Sequence, residues 1–146
     1  MNYTVLITPE SKDLIQQHLE LGYPNEACGF LLGEDHGESR TIQEVIAVPN
    51  VQKGDQKRRF AIAPLDYIQA ERIALEKGLQ LLGIYHSHPN HPALPSIHDL
   101  QQALPFFSYF IWSVQDRHAT KLTSWRLNEQ LQEFEEEKIL VLTYSI

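Results

Sequence analysis

Gly83-Ile84-Tyr85-His86-Ser87-His88-Pro89-Asn90-His91-Pro92-Ala93-Leu94-Pro95-Ser96-Ile97-His98-Asp99 is the stretch that decides how this chain is read. It holds four of the seven histidines. The apolar run Leu79 to Tyr85 leads in as a buried strand, three prolines follow, and Ser96 is placed to cap a helix starting near Ile97. Side chains two apart on a strand share a face, so His86 and His88 project together from the strand end. Asp99 falls in the first turn of the expected helix and can face back toward them. Two neutral imidazoles and a carboxylate are a common ligand set for catalytic zinc, with a fourth position left to water. A lone histidine is ordinarily a surface or satisfied core residue. An H-x-H pair ending an apolar strand, with an aspartate on the next helix start, is rarer and predicts a metal site of His86, His88 and Asp99. His91, between prolines, and His98, beside Asp99, read as rim or solvent residues. Asp99 by itself would serve only the helix dipole.

Working outward, 146 residues are read as one domain over 1–146, long enough for a real core. Hydrophobic residues make up 42% and charged residues 21%, as in an ordinary soluble globular protein. A formal net charge of -7 argues against nucleic acid or an anionic membrane as partner. One cysteine excludes an intramolecular disulfide framework and suits a reducing compartment, and no signal-like segment or membrane-length apolar run is found, so a cytoplasmic location is expected. Cys28 invites a nucleophile reading, but no cation neighbours it in sequence, and a small buried packing residue is the better assignment.

Tyr3–Thr8 reads as a strand. Pro9–Leu21 reads as a helix capped by Thr8, with Leu14, Ile15, His18, Leu19 and Leu21 as its apolar stripe. After the turn at Tyr23-Pro24-Asn25, a strand runs to Gly33, and Glu34–Arg40 forms a polar hairpin turn. Thr41–Val48 is the next strand. Residues 50–59 form a loop made basic by Lys53, Lys57, Arg58 and Arg59; it is either a solvated loop or a contact for an acidic partner or a substrate carboxylate. Phe60–Ile62 is expected as a short edge strand. Pro64–Lys77 reads as a helix with Leu65, Ile68, Ile73 and Leu75 supplying its apolar positions, stopped by Gly78. A short helix to about Leu104 and strands at Tyr109–Val114, Lys121–Leu127 and Lys138–Tyr144 complete the chain. The order β-α-β-β-α-β-α-β-β-β mixes hairpins and crossovers. It implies an α+β (mixed α/β) domain: a curved, mostly antiparallel sheet flanked by helices.

His86-Ser87-His88-Pro89, six residues, then Ser96-Ile97-His98-Asp99 resembles the signature of the JAMM (MPN-plus) metalloprotease family. That signature also carries a remote glutamate, and Asn25-Glu26-Ala27-Cys28-Gly29-Phe30 resembles its E-x-C-G segment. The resemblance covers most of the chain, as far as Trp125-Arg126-Leu127. It implies the same layered MPN/JAB-like fold. It also implies one zinc ion per chain on His86, His88 and Asp99, Glu26 as general base and Ser96 as oxyanion donor. A zinc-activated water near neutral pKa, a carboxylate within reach of it and a hydroxyl donor at the carbonyl oxygen are together competent to hydrolyse an amide. Ser96 can cap a helix and donate at once, since its proton and lone pairs are distinct. Ser87 points away from its histidine neighbours and is assigned to support or packing.

Family resemblance implies cleavage of amide or isopeptide bonds at the C-terminus of ubiquitin or ubiquitin-like proteins. The chain lacks obvious room for insertions that grip ubiquitin, so it looks like the compact prokaryotic type. The expected substrate is a ubiquitin-like or sulfur-carrier protein cut after its Gly-Gly. Two other readings stay open. A non-catalytic MPN scaffold that binds protein partners usually loses metal ligands, which this chain keeps. A zinc hydrolase of small molecules of the deaminase kind needs a P-C-x-x-C pair that a single cysteine cannot supply. The sequence gives neither the oligomeric state nor the residue after the scissile bond.

Overall fold

A computed structural model of the chain describes residues 2–143. Its elements are β1 (Thr4–Ile7), α1 (Pro9–Gly22), β2 (Cys28–Asp35), β3 (Ser39–Val48), α2 (Pro64–Glu76), β4 (Gln80–Pro89), α3 (Ile97–Gln102), β5 (Ser108–Gln115), β6 (His118–Asn128) and β7 (Glu133–Val141). The α+β class and the element order are those expected. The sheet curves further than expected: it closes into a barrel of order β1-β3-β2-β4-β5-β6-β7. The closing piece is β1, which pairs in parallel with both β3 and β7 and so removes both edges. With β4–β5 also parallel, three of the seven pairings are parallel and the other four antiparallel, so the sheet is mostly antiparallel as expected. The last strand ends at Val141; Tyr144, its expected end, lies outside the described residues.

Local chemistry sets the helices. Thr8 caps α1, its hydroxyl oxygen accepting the Ser11 N–H at 3.2 Å. Ile15 and Leu19 are the fully buried part of the expected stripe, whereas Leu14 and Leu21 are exposed. His18 sits at the core edge, its Nδ1 2.7 Å from the Tyr85 hydroxyl, and burial lowers its pKa. On α2 only Ile73 of the four expected apolar positions packs inward. Leu65, Ile68 and Leu75 are exposed, and the helix packs through Ala70 and Ala74, flanked by Tyr67 and Ile73. Small side chains let the helix approach the sheet, whose Phe30, Leu32 and Ile84 fill that layer. Gly78, at φ +68, turns the chain out of the helix in a region few other residues adopt.

Alternation along β2 divides the core: Leu31 packs in the layer under α1, while Phe30 and Leu32 pack under α2. Two expectations on the loops fail. Phe60–Ile62 is no strand, because Ala61 bonds to the Asn50 side chain and the Val51 N–H rather than to a ladder. The polar turn is only residues 36–38, and Arg40 is fully buried in β3. Arg40 is satisfied there by Asp35 and by Leu82 O, Phe106 O and Ser108 Oγ. A second buried pair, Arg126–Glu137, ties β6 to β7 at 2.8 Å, with Ser124 donating to the same carboxylate. Among the described residues no helix is long and apolar enough to cross a membrane.

Candidate metal centre

The end of β4 carries His86 and His88 on one face, and both are buried. Parallel pairing with β5, His86 opposite Ile111 and His88 opposite Ser113, fixes the strand to its last residue. Ser96 caps α3 as expected: its Oγ accepts the Asp99 N–H at 3.0 Å, and its own N–H donates to Asp99 Oδ2 at 2.8 Å. This capping box turns the Asp99 carboxylate toward the strand end.

The result is a small triangle of donor atoms. His86 Nε2 lies 3.3 Å from His88 Nε2 and 3.2 Å from Asp99 Oδ1; His88 Nε2 lies 3.1 Å from Asp99 Oδ2. These edges match the ~3.3 Å between ligands in a tetrahedral shell with metal–ligand bonds of about 2.0–2.1 Å. His88 Nδ1 is 2.8 Å from the Pro92 carbonyl, which can only accept, so Nδ1 carries the proton and Nε2 turns its lone pair inward in the neutral ring. Lone pairs brought this close call for positive charge among them. The set therefore fits a metal ion, and His86, His88 and Asp99 could hold one. Burial pushes the Asp99 carboxyl up, but the His86 and His88 imidazoles and the Ser96 N–H outweigh it and hold it well below the usual carboxylate range.

Glu26 arrives from the other side of the sheet order. Its segment is clamped by Asn50 Nδ2 donating to Glu26 O (2.9 Å), Glu26 N–H to Gln56 O (2.7 Å) and Ala27 N–H to Ser87 Oγ (3.0 Å). The carboxyl is buried, and Oε1 has no hydrogen-bond partner among the described residues. Burial pushes it up to about 8, with His88 pulling down and Asp99 and Asp55 pushing up. Glu26, His88 and His91 bring ligand atoms within 4.8 Å of one another. His91 is half-buried at the rim of the site, its ring centre 4.3 Å from that of His88 and its Nδ1 2.8 Å from Pro89 O. Phe60, missed as a site residue, stacks on His86 at 4.5 Å; an apolar residue ending a polar loop was its only signal. Cys28 is fully buried and its thiol is pushed up to about 12, first by burial and then by Glu26 and Asp66. His98 lies outside the triangle, on the wall of an adjoining cleft.

One cleft meets the triangle and a second lies beside it. A slot of about 30 Å³ reaches it past His86 and Asp99 and is lined otherwise by Phe60, Ile62, Tyr67, Ile84, Gln102 and Tyr109. A wider cleft of about 720 Å³ opens beside His91 and Ser96.

The chain belongs to the Prok-JAB family, prokaryotic homologues of the JAB domain, whose sequence profile matches residues 9–128. It is 38% identical over 86 residues to a probable TtuB-protein conjugate cleaving protease of Thermus thermophilus, a match covering 59% of this chain and 54% of that relative, or about half its length. It is 27% identical over 126 residues to the CysO-cysteine peptidase of Mycobacterium tuberculosis, covering 86% of this chain and 84% of that one. The solution structure of protein DSY2949 from Desulfitobacterium hafniense superposes with a TM-score of 0.84 at 27% identity, over 96% of this chain and 94% of that one.

Proposed function

We propose that the chain is a single-domain zinc metallopeptidase that hydrolyses the amide bond after the C-terminal Gly-Gly of a ubiquitin-like or sulfur-carrier protein. The observation that carries this reading is the triangle of His86, His88 and Asp99 donors with the buried Glu26 beside it. Relatives named as a probable TtuB-protein conjugate cleaving protease and a CysO-cysteine peptidase support the peptidase class.

His86, His88 and Asp99 would hold one zinc ion, which when bound lowers the pKa of water toward about 7 and polarises a carbonyl. Glu26 takes the proton of the attacking water on its carboxylate and returns it to the leaving amine nitrogen. Burial works against the ionised form of Glu26, and a cation held on the neighbouring triad would favour it. The Ser96 hydroxyl proton is left free by the capping contact, in which Oγ only accepts, so Ser96 donates to the carbonyl oxygen as charge develops there. Phe60 and His91 flank the imidazoles and limit water around them.

The test is metal content measured together with cleavage. The purified chain should carry one zinc and release a peptide tail fused after the Gly-Gly of a sulfur-carrier protein, and a chelator should stop the release. Absence of zinc after reconstitution would remove the metal reading. Zinc with no cleavage of any Gly-Gly fusion would remove the substrate class.

A further inference from the structure

Glu26 and His91 make a second set of ligand atoms beside the triangle. Each brings a donor atom within 4.8 Å of the other and of a His88 nitrogen. Each also has a donor to spare. Glu26 is 3% exposed, and its buried Oε1 has no hydrogen-bond partner among the described residues. His91 Nδ1 is 2.8 Å from the Pro89 carbonyl, which can only accept, so in the neutral ring Nδ1 carries the proton and Nε2 keeps its lone pair. The His91 backbone is anchored to β5: Ser113 Oγ donates to His91 O at 2.7 Å, and Gln115 Nε2 donates to that hydroxyl at 2.7 Å. The residue stands on the wall of the wide cleft, so a hydrated ion can reach it from solvent.

His88 cannot serve both sets. Its Nε2 faces the triangle and its Nδ1 donates to Pro92 O. A cation on the second set therefore has Glu26 and His91 from the protein and water in its remaining positions. Imidazole with carboxylate suits zinc. Two ligands of one ion with bonds of about 2.1 Å stand ~3.3–4.2 Å apart, so a small rotation of the His91 ring or the Glu26 carboxyl closes the pair. Resting on the reading of His86, His88 and Asp99 as the zinc triad and Glu26 as the base, we infer that Glu26 and His91 form a second, weaker zinc site that shuts the enzyme off when it fills. A carboxylate bound to a cation no longer offers the lone pair that takes the proton of the attacking water. The metal required for turnover at one equivalent thus becomes an inhibitor in excess. The surrounding charges set the affinity. Asp55 and Asp99 act on Glu26 and favour a cation, whereas Arg58 acts on His91 and opposes one. Two protein ligands in place of three weaken the second site further.

The experiment titrates zinc into the metal-free chain by calorimetry and follows cleavage of a Gly-Gly fusion over the same zinc range. The unsubstituted chain should bind one tight equivalent and then a weaker second. Turnover should rise through the first and fall through the second, by about 10²–10⁴ at saturation, the usual contribution of a positioned base. His91→Phe keeps a ring against His88 but offers no ligand, and His91→Ala removes both. Each should keep the first equivalent and lose the second, and its turnover in excess zinc should match its own turnover at one equivalent. Glu26→Gln, neutral and of the same shape, should weaken the second equivalent by about tenfold or more, and it decides the matter if the His91 variants do not fold. A single equivalent in the unsubstituted chain overturns the inference, as does a second equivalent unchanged in the His91 variants or in Glu26→Gln. Loss of the first equivalent in His91→Phe overturns it too, by making His91 a ligand of the first ion. A His91-dependent second equivalent with no cleavage of any fusion supports the site and removes the peptidase reading alone.

Discussion

The backbone N–H of Ser96 donates to Asp99 Oδ2 at 2.8 Å, and that same oxygen lies 3.1 Å from His88 Nε2. One carboxylate closes the capping box of α3 and forms the third corner of the donor triangle. Its two roles separate by substitution. Asp99→Ala and Asp99→Asn should both lose zinc, but the asparagine oxygen can still accept from Ser96. In chelator, Asp99→Asn should be the more stable of the two by about 1 kcal/mol, the scale of a cap. Metal content and denaturant unfolding read the two effects; full zinc occupancy in Asp99→Asn would remove Asp99 from the ligand set.

Ser87 stands between the two candidate histidines yet faces away from them, and its buried Oγ accepts the Ala27 N–H at 3.0 Å while its N–H donates to Ala27 O at 3.1 Å. It holds the Glu26 segment to β4. Ser87→Ala leaves a buried N–H unpaired, at a cost of about 1–3 kcal/mol. It should lower kcat while zinc stays bound, because the imidazoles do not depend on it. Unchanged kcat with lowered stability would reduce Ser87 to a packing residue.

Cys28 is one residue from the Glu26 segment's clamp, and a thiol pushed up to about 12 is not a nucleophile at neutral pH. The folded protein should leave a thiol reagent unconsumed at pH 7.5 and consume one equivalent after unfolding. Cys28→Ala should keep its turnover. Loss of turnover with zinc and fold intact would reopen thiol chemistry.

The donor triangle was legible because each corner follows from a local rule. His86 and His88 obey the two-residue period of a strand, and Asp99 occupies the N3 position that a serine cap prescribes. Glu26 was legible only through family resemblance, since its place depends on Asn50, Gln56 and Ser87, none of them near it by any periodic rule. Closure of the sheet was not legible. It rests on β1, four residues whose parallel pairing with β3 and β7 leaves no local mark. Hydrophobicity alone chose Leu65, Ile68 and Leu75 for the inner face of α2, where close approach favours Ala70 and Ala74. Arg40 was hidden in a polar run because its acceptors, Leu82 O, Phe106 O and Ser108 Oγ, come from distant strands and loops.

Glu26 ties the chemistry to stability. Burial raises its carboxyl from an ordinary 4.5 to about 8. In metal-free protein the fold therefore keeps this proton while the unfolded chain releases it. The state that binds more protons is disfavoured as pH rises, so the metal-free fold should lose stability between about pH 4.5 and 8 by up to several kcal/mol. Above that window both states are ionised and the contribution is flat. Glu26→Gln has no proton to lose, so its metal-free stability should lack this slope and exceed that of the unsubstituted chain at pH 8. Zinc on His86, His88 and Asp99 places positive charge beside the carboxyl and should lower its pKa, flattening the slope in the unsubstituted chain and leaving Glu26→Gln almost unchanged. The same variant should bind zinc and lose turnover by about 10²–10⁴, the usual contribution of a positioned base. Unfolding free energies from pH 5 to 8.5, with chelator and with zinc, give the first comparison, and turnover of the loaded variant gives the second. Parallel slopes in the two metal-free proteins would show that Glu26 does not carry the raised pKa. Turnover retained in Glu26→Gln would assign the base to another group, with His91 next in reach of His88.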